Sequence, residues 1–296
     1  RIILTNQVEI TMKLTDKALL AQLSISVPSF NKLDKKISLE TTIAKGAVDG
    51  SGRYHKSLLP TCDLLKDIKQ KATLIRTKFY TNTLPWGVKG IQMLPSANYL
   101  EFMTDFRKQK SEFEMLVDRF CPEYPQLVAN AQTLLGTSYN PDDYADPDSI
   151  RDKFSMAMAI TNVASDDFRC AGISDEEEAV LRAEIQATTK RAAEQAMTEV
   201  WQRLYDRVKH LADKLTDPTA TFKNTTIEHI NELCSILPRL NFADDPNLET
   251  MRQQVEGKLS GFHPDALRND PDLRRDTAAD ASDIMSKMGA FMGKAA

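Results

Sequence analysis

The spacing of apolar and polar positions predicts a mainly α-helical protein with a small β or hairpin element in its N-terminal third. The positions from Val8 to Leu14 alternate between apolar and polar residues, as in a half-buried strand. The apolar run from Leu19 to Val27 is too short to distinguish a helix from a strand. Residues 31–45 are rich in lysine and predict a short helix, and the glycines of 46–52 predict a loop.

An amphipathic helix is predicted to begin near Thr61. When each residue advances by 100°, its apolar side chains share one arc of about 100°, which is typical of a helix that packs on a core. These residues are Leu64, Leu65, Ile68, Ala72, Ile75 and Phe79. The segment 84–95 interrupts the pattern with glycines and prolines and predicts a tight loop or a small hairpin.

The central part of the chain predicts two helices and a boundary. One helix is expected from Ser96 to about Phe120, where Pro122 should end it, and a shorter helix should end near Gly136. The polar stretch 137–149 is punctuated by proline and is the predicted boundary between two regions.

The second half of the chain predicts a very long helix. Phe154, Met156 and Met158 are assigned to a helix that precedes it. Ser174 and the four acids that follow it predict the start of the long helix. No Gly or Pro interrupts this helix before about Leu215, so at 1.5 Å per residue it is roughly 60 Å long. Such a helix needs flanking helices or another subunit to bury its apolar side.

The C-terminal part predicts short helices and a tail. Helices are expected at 226–237 and 247–260, followed by a flexible acidic segment from Pro264. Apolar residues at helical spacing near the end then predict a short amphipathic helix, which docks on its own body, a sister subunit or another protein. The predicted partner-docking residues are Ile284, Met285, Met288 and Phe291.

These predicted elements divide the chain into three regions of different charge. They are a basic N-terminal α(+β) nucleic-acid-binding region at 1–136, an acidic helical region at 150–263 and a tail at 264–296. The net charge of −4 conceals the asymmetry, since residues 1–100 hold 15 Lys and Arg against 7 Asp and Glu. This excess of +8 leaves −12 for the remainder and suggests a polyanionic partner at one end. Chance clustering of solvated lysines is the alternative.

Composition and motifs argue against several classes of protein. Of the 296 residues, 42% are hydrophobic, which is enough for a core, and no apolar run approaches the ~20 residues of a membrane span. Four well-separated cysteines without a CxxC pair favour reduced thiols. The histidines lack metal-binding spacing, and the loop 46–52 lacks the Gly-Lys-Ser/Thr of a phosphate loop. We therefore expect a non-enzymatic protein without a metal or cofactor.

The stretch from Arg53 to Lys89 combines positive charge with aromatic rings. It contains eight Lys and Arg residues, two acids and four aromatic residues. Such sets bind single-stranded nucleic acid, because cations neutralise phosphates and rings stack on bases. With three lysines upstream, the predicted nucleic-acid-binding residues are Lys35, Lys36, Lys45, Arg53, Tyr54, Lys56, Lys66, Lys69, Arg76, Lys78, Tyr80, Trp86 and Lys89.

Simpler interpretations exist for these residues. Lysines on a helix face are usually solvated, Phe79 falls in the apolar arc of its helix, and Trp86 can anchor a loop on the core. Recognition of double-stranded DNA is not favoured, because the sequence contains no recognisable helix-turn-helix, zinc finger or basic zipper. The prediction therefore rests on the coincidence of charge, aromatic residues and two glycine-rich loops.

One stretch resembles a known phage family. It comprises Leu84-Pro85-Trp86-Gly87, Gly90, Met93-Leu94-Pro95, Tyr99 and Phe102, followed by the long helix with its acidic start. The chain is similar here to the single-stranded-DNA-binding RNA polymerase cofactors of podoviruses that package a giant RNA polymerase in the virion. The resemblance implies a protein in the cytoplasm of the infected bacterial host that binds unwound DNA and recruits the phage RNA polymerase to promoters.

These observations define a leading hypothesis and two rivals. The chain is expected to be a non-enzymatic, homo-oligomeric transcription cofactor that binds single-stranded DNA with its basic third. Its acidic helical part would contact the polymerase. The first rival is a protein-interaction adaptor, for example for an ATPase or replication assembly, that does not bind nucleic acid. The second rival is an enzyme whose active site is assembled from distant residues.

Overall fold

The computed structural model describes residues 14–164, 172–217 and 223–293, in which helices predominate. The predicted fold class, mainly α with long helices and a small β element in the N-terminal third, is confirmed. The strand predicted from Val8 lies outside the described residues except at its end, where Leu14 begins a single helical turn.

The described residues form nine α-helices and six β-strands. The helices are α1 (Leu14–Lys17), α2 (Lys35–Ala44), α3 (Asp63–Asn82), α4 (Ser96–Leu135), α5 (Asp175–Thr216), α6 (Asn224–Leu240), α7 (Pro246–Leu259), α8 (Pro264–Asn269) and α9 (Pro271–Phe291). The strands are β1 (Ala18–Ser26), β2 (Asn31–Asp34), β3 (Tyr54–Ser57), β4 (Leu84–Pro85), β5 (Gln92–Pro95) and β6 (Ser155–Asn162). Short 3₁₀ turns at Gly136–Ser138, Pro141–Asp143 and Pro147–Lys153 connect α4 to β6.

The chain divides into two compact units that are each made of separate segments. The first unit comprises 1–22, 80–102 and 159–296, and the second unit comprises 23–79 and 103–158. The sequence predicted contiguous regions instead. The two divisions differ because compactness depends on packing between segments that are distant along the chain, which local composition does not report.

The strands form two small sheets. The larger sheet has the order β4-β5-β1-β6, and the smaller sheet pairs β2 with β3. The antiparallel strands β4 and β5 are the hairpin expected within 84–95. The ambiguous run from Leu19 to Val27 lies mostly in β1, so it is a strand.

Helix α3 confirms the predicted apolar arc. Its buried residues are Leu65, Ile68, Ala72, Ile75 and Phe79. Leu64, at the edge of the arc, is only half-buried. Four of the five buried residues join the core of the second unit, where Phe120 packs on Phe154 with ring centroids 5.4 Å apart. Burying each large apolar side chain contributes roughly 1.5–3 kcal/mol.

Helix α4 is longer than predicted. The expected end near Phe120 is wrong, since the helix continues through Pro122 and Pro125 to Leu135. Each proline removes a backbone donor and disfavours the helix locally. Phe120 and Tyr124 are fully buried on either side of Pro122, so core packing holds the chain in helical form despite that cost.

The assignment of Phe154, Met156 and Met158 to a helix is also wrong. Both methionines lie in β6, a strand of the larger sheet. Met156 is buried between exposed Ser155 and Ala157, which is the alternation of a strand. The alternating run is too short to reveal its period without the neighbouring strand.

The first unit is built around α5. Ser174 caps this helix as predicted, because its hydroxyl accepts a hydrogen bond from the amide of Glu177 at 3.3 Å. Helices α6, α7 and α9 contact α5 and share its apolar core. At the other end of α5, the guanidinium of Arg274 in α9 donates to the last backbone carbonyls of the helix, which have no partner within the helix itself.

The C-terminal segment is helical, which corrects the expected flexible acidic tail. Asp270 begins α9 as a capping residue, and its carboxylate accepts hydrogen bonds at 3.0 Å from the amides of Asp272 and Leu273. Ile284 and Met288 of α9 are buried in the core of the first unit. The aspartates of this segment suggested a flexible tail, but some of them cap the helix and others lie on its solvent side.

Candidate nucleic-acid interface

The segment β2–α2–β3 brings Tyr54 to the first turn of α2. The carboxylate of Asp34 caps α2 by accepting a hydrogen bond from the amide of Ile37 at 3.1 Å. The hydroxyl of Ser38 donates to the Asp34 carbonyl and accepts from the amide of Tyr54 at 2.9 Å. Because Asp34 and Tyr54 are also partners in the strand register, Tyr54 is fixed beside the two lysines that begin α2.

The loop after α2 folds back onto the helix. Thr42 is buried, and its hydroxyl donates to the carbonyl of Ser38 at 2.7 Å. A Cβ atom on Gly52 would lie 3.2 Å from Oγ1 of Thr42, so the loop passes this residue at close range. Gly46 has a φ of +61°, a conformation that favours glycine, and it turns the chain at the end of α2. Arg53 follows Gly52 and is thereby brought to α2 as well.

Five of the predicted residues therefore lie along α2 and the segment that folds back on it, and we call them the α2 patch. They are Lys35, Lys36, Lys45, Arg53 and Tyr54. All five are exposed, and 46% of Tyr54 is accessible to solvent. Within the described residues none of the four cations forms a salt bridge, so their charge remains available to an external anion.

Two predicted cations of α3 contact the chain segment that precedes β2. The ammonium group of Lys69 donates to the carbonyl of Ser29 at 2.7 Å, and Nη2 of Arg76 donates to the carbonyl of Ile25 at 3.1 Å. Lys69 and Arg76 are two helical turns apart and share one face of α3. Each keeps further N–H groups for an anion, because an ammonium group has three donors and a guanidinium group has five.

These cations follow one continuous stretch of the second unit. The stretch from Ile25 to Lys36 contacts Arg76 first and Lys69 next, and it ends with Lys35 and Lys36 themselves. We call the four cations Arg76, Lys69, Lys35 and Lys36 the cation row. A fully extended stretch of this length spans at most about 40 Å. The row therefore offers several positive charges along a path that a nucleic-acid backbone can follow.

The structure places Lys56 in the interior, which corrects its assignment to the binding surface. Only 7% of Lys56 is exposed, and its ammonium group lies 2.8 Å from the carboxylate of Asp143. It also donates to the carbonyl of Ser138, and Asp34 is 4.0 Å away. The alternation of β3 turns Lys56 inward, so its charge is compensated inside the protein.

Two other predicted lysines have acidic partners at the surface. Lys66 lies 2.7 Å from Asp63, and Lys78 lies 2.8 Å from Asp105. The hydrogen bond between Lys66 and Asp63 lowers the pKa of the aspartate and raises that of the lysine. Exposed pairs of this kind contribute little to stability. They reduce the net positive charge that α3 presents at its surface.

Three predicted residues belong to the first unit. Tyr80 is 53% exposed and Lys89 is exposed in the β4–β5 turn. Trp86 is half-buried and packs against the apolar core of the first unit. Its placement fits the simpler interpretation of a loop anchor.

The predicted partner-docking residues lie mostly within their own subunit. Ile284 and Met288 are fully buried, and Met285 is partly buried against the same core. Phe291 is 42% exposed, with its ring centroid 5.6 Å from that of Trp201 in α5. The sequence left open whether this helix docks on its own body, on a sister subunit or on another protein. In the structure α9 docks on its own body.

Sequence reasoning missed two features near the α2 patch. Lys32 in β2 lies 2.6 Å from Asp143 and was not among the predicted residues, although it is only three residues before Lys35. Ile43 and Val48 are 67% and 82% exposed, which is unusual for large apolar side chains. The spacing of Leu39 and Ile43 resembles a buried helix face, so no sequence signal marked them as exposed.

Other chemistry is not visible in the part of the chain that the structure describes. There, no group of three or more His, Cys, Asp or Glu side chains is placed to hold a metal ion. None of the described helices is both long and apolar enough to cross a membrane. No protein-family model, curated protein or solved structure matches the chain.

Proposed function

We propose that the protein binds single-stranded DNA through the cation row and the α2 patch, and that it acts as a non-enzymatic transcription cofactor. One observation carries the DNA-binding part. Lys69 and Arg76 are held by neutral backbone carbonyls and not by acids, next to a segment that leads to the exposed lysines of α2. A cation held in this way is positioned but keeps its whole charge for a phosphate.

Charge and stacking both favour a single strand. Each phosphate that a cation neutralises releases counterions from the nucleic acid, which makes binding favourable at low salt and weaker at high salt. The exposed ring of Tyr54 offers a surface on which one base can stack, worth roughly 1–3 kcal/mol. A duplex keeps its bases stacked on each other, so the contact with Tyr54 favours single-stranded over double-stranded DNA.

The transcriptional part of the proposal is supported by the resemblance to podovirus polymerase cofactors. Three of the residues that carry this resemblance, Leu84, Met93 and Leu94, are buried in the first unit. They therefore support a shared fold and not shared DNA contacts. On this basis we extend the proposal to the phage RNA polymerase as the partner, to a homo-oligomer and to the cytoplasm of the infected host.

Fluorescence anisotropy with labelled single- and double-stranded oligonucleotides tests DNA binding. We expect the single strand to bind with micromolar or tighter affinity, the duplex to bind more weakly, and both affinities to fall with added salt. The double variant Lys35→Glu with Lys36→Glu should lower the single-strand affinity about tenfold or more, because two attractive contacts become repulsive.

The matched control is Arg207→Glu with Lys209→Glu. It makes the same change in charge at exposed positions of α5 in the first unit, away from the α2 patch in sequence. Circular dichroism checks that both variants remain folded. Equal losses of affinity in the two double variants would contradict the assigned surface. A wild-type protein that shows no salt-sensitive binding to any oligonucleotide would contradict DNA binding altogether.

A protein-interaction adaptor without nucleic-acid binding is the second candidate. The exposed side chains of Ile43 and Val48 favour it, because protein partners commonly cover such apolar positions. Its test is a pull-down from infected cells with the wild type and with Ile43→Asp. Capture of one specific protein by the wild type alone, together with no oligonucleotide binding, would favour the adaptor over the DNA-binding protein.

A further inference from the structure

The surface formed by α2 and the loop after it exposes three large aliphatic side chains. Leu39 and Ile43 of α2 are 45% and 67% exposed, and Val48 in the loop is 82% exposed. Single exposed apolar residues are common on protein surfaces, but these three lie within one stretch of ten residues. A partner that covers them removes this apolar surface from water, which is favourable. The groups around them indicate which partner fits.

Helical geometry places Leu39 and Ile43 between the two lysines that begin α2. At 100° per residue, the order around the helix is Lys35, Leu39, Ile43 and Lys36, all within an arc of about 100°. Both lysines are exposed, and neither forms a salt bridge within the described residues. This face of α2 therefore combines positive charge with apolar side chains.

Hydrogen bonds hold the loop that carries Val48 against the end of α2. The amide of Ala47 donates to the carbonyl of Thr42 at 3.0 Å. The carbonyl of Val48 then accepts from the amide of Ser51 at 3.1 Å, which closes a tight turn. The position of Val48 next to α2 is therefore fixed by the backbone of the loop.

The charged groups of this segment leave an excess of positive charge. Residues 35–54 contain four cations and two acids, Glu40 and Asp49, which gives a net charge of +2. Both acids are exposed. Glu40 is three residues before Ile43 on the helix, and Asp49 follows Val48 directly, so each acid lies beside an apolar side chain. The acids repel phosphates from these two positions, which leaves the positions to uncharged groups.

We propose that Leu39, Ile43 and Val48 contact the bases of the bound single strand and favour thymine, while the cations of the α2 patch contact its phosphates. This inference rests on the proposed DNA binding and specifies which base the same site prefers. A single strand offers anionic phosphates and unstacked bases side by side, which matches the mixture of charge and apolar surface around α2. A duplex keeps the faces of its bases inside the stack.

Thymine is favoured because it is the only one of the four DNA bases with a methyl group. Apolar side chains contact this C5 methyl group in protein–DNA complexes. Burying one methyl group against an aliphatic side chain increases affinity about fourfold. Uracil lacks the methyl group, so the same contact favours DNA over RNA in a single strand.

Fluorescence anisotropy with oligothymidine and oligodeoxyuridine of equal length tests the proposal on the full chain. The two strands have the same sugar and charge and differ only in the methyl group, so the ratio of their affinities isolates the apolar contact. We expect oligothymidine to bind about fourfold more tightly, or better. The ratio should persist as salt is added, because salt weakens the phosphate contacts of both strands equally.

The variant Ile43→Ala with Val48→Ala removes most of this apolar surface and should reduce the affinity ratio to below about twofold. The matched control is Val88→Ala with Leu100→Ala, which truncates two exposed aliphatic residues of the first unit and should keep the wild-type ratio. All four side chains are exposed, so both double variants should fold, which circular dichroism checks.

Four results would overturn the proposal. Equal affinities of the wild type for the two strands would reject the thymine preference and leave DNA binding intact. Absence of binding to either strand would reject the proposed function together with this inference. A thymine preference that persists in the alanine variant would place the methyl contact elsewhere. An unchanged ratio in that variant, together with capture of a specific protein by the wild type but not by Ile43→Asp, would assign the apolar side chains to a protein partner.

Discussion

The ammonium group of Lys56 lies 2.8 Å from Oδ2 of Asp143, and both side chains are almost completely buried. This pair joins β3 to the 3₁₀ turns that precede β6, and Lys32 in β2 approaches the same carboxylate at 2.6 Å. Salt bridges thus hold both strands of the smaller sheet against the 3₁₀ turns of the same unit. Because the α2 patch follows β2 in sequence and ends at the first residue of β3, the buried pair also supports the proposed DNA-binding surface.

Removal of Lys56 should destabilise the protein. In Lys56→Met the buried carboxylate of Asp143 loses its buried ammonium partner, and we expect the free energy of unfolding to fall by about 3 kcal/mol. Urea denaturation measures this difference. The control Lys35→Met changes an exposed lysine and should stay within about 0.5 kcal/mol of the wild type. Equal stabilities of the two variants would show that the buried pair does not stabilise the fold.

Acid should weaken the second unit through Asp143. Burial alone would raise the pKa of this carboxyl, but hydrogen bonds from Lys32 and Lys56 outweigh burial and hold the pKa below its ordinary value of 3.8. A carboxyl group whose pKa is lower in the folded than in the unfolded state stabilises the fold at pH values above its unfolded pKa. This stabilisation is lost as the pH falls through the folded pKa. Asp143→Asn should therefore flatten the dependence of unfolding free energy on pH below about 4. Parallel curves for the variant and the wild type would contradict this assignment.

The two cations of α3 that contact backbone carbonyls should matter more for DNA than Lys66, which is paired with an acid. Lys69→Glu with Arg76→Glu is expected to weaken single-strand binding without unfolding the protein, because both groups belong to the cation row. Lys66→Glu should have a smaller effect per residue, since the charge of Lys66 is already partly neutralised by Asp63. Anisotropy measures affinity and circular dichroism measures folding. Unchanged affinity in the double variant would remove α3 from the proposed surface.

Helix α9 should contribute to the stability of the first unit. Ile284 is fully buried, so Ile284→Ala is expected to lower the free energy of unfolding by about 3 kcal/mol. Phe291 is 42% exposed, and Phe291→Ala should cost less than half as much. For the same reason, removal of residues 280–296 should destabilise the unit and not merely release a docking element. Thermal unfolding distinguishes the variants, and equal losses would contradict the observed burial.

The buried thiol of Cys234 should be unreactive in the native protein. Burial raises its pKa to about 11, so little thiolate is present at neutral pH, and the side chain is also shielded from solvent. Cys121 is only half-buried and should react faster with iodoacetamide. Peptide mapping after timed labelling measures both rates, and denatured protein provides the control. Native Cys234 that reacts as fast as Cys121 would contradict its burial.

The local spacing of apolar and polar residues predicted those helices that bury one face. The apolar arc of α3 and the capped start of α5 at Ser174 follow from residues close together in sequence, and both are confirmed. The predicted end of α4 at Pro122 failed, because Phe120 and Tyr124 gain more from the core than the prolines lose. The strand β6 was read as a helix for a related reason, since its partner strand is far away in sequence.

The sequence by itself determined the mainly helical fold class, the long amphipathic helices and the concentration of positive charge in the first hundred residues. Tertiary structure decided which of those charges remain available. Lys56 is neutralised by Asp143, whereas Lys69 is held by the carbonyl of Ser29 and keeps its charge. The physical reason is that helix periodicity depends on neighbours a few residues away. The pairing of a charge depends on groups that only the folded chain brings within a few ångströms.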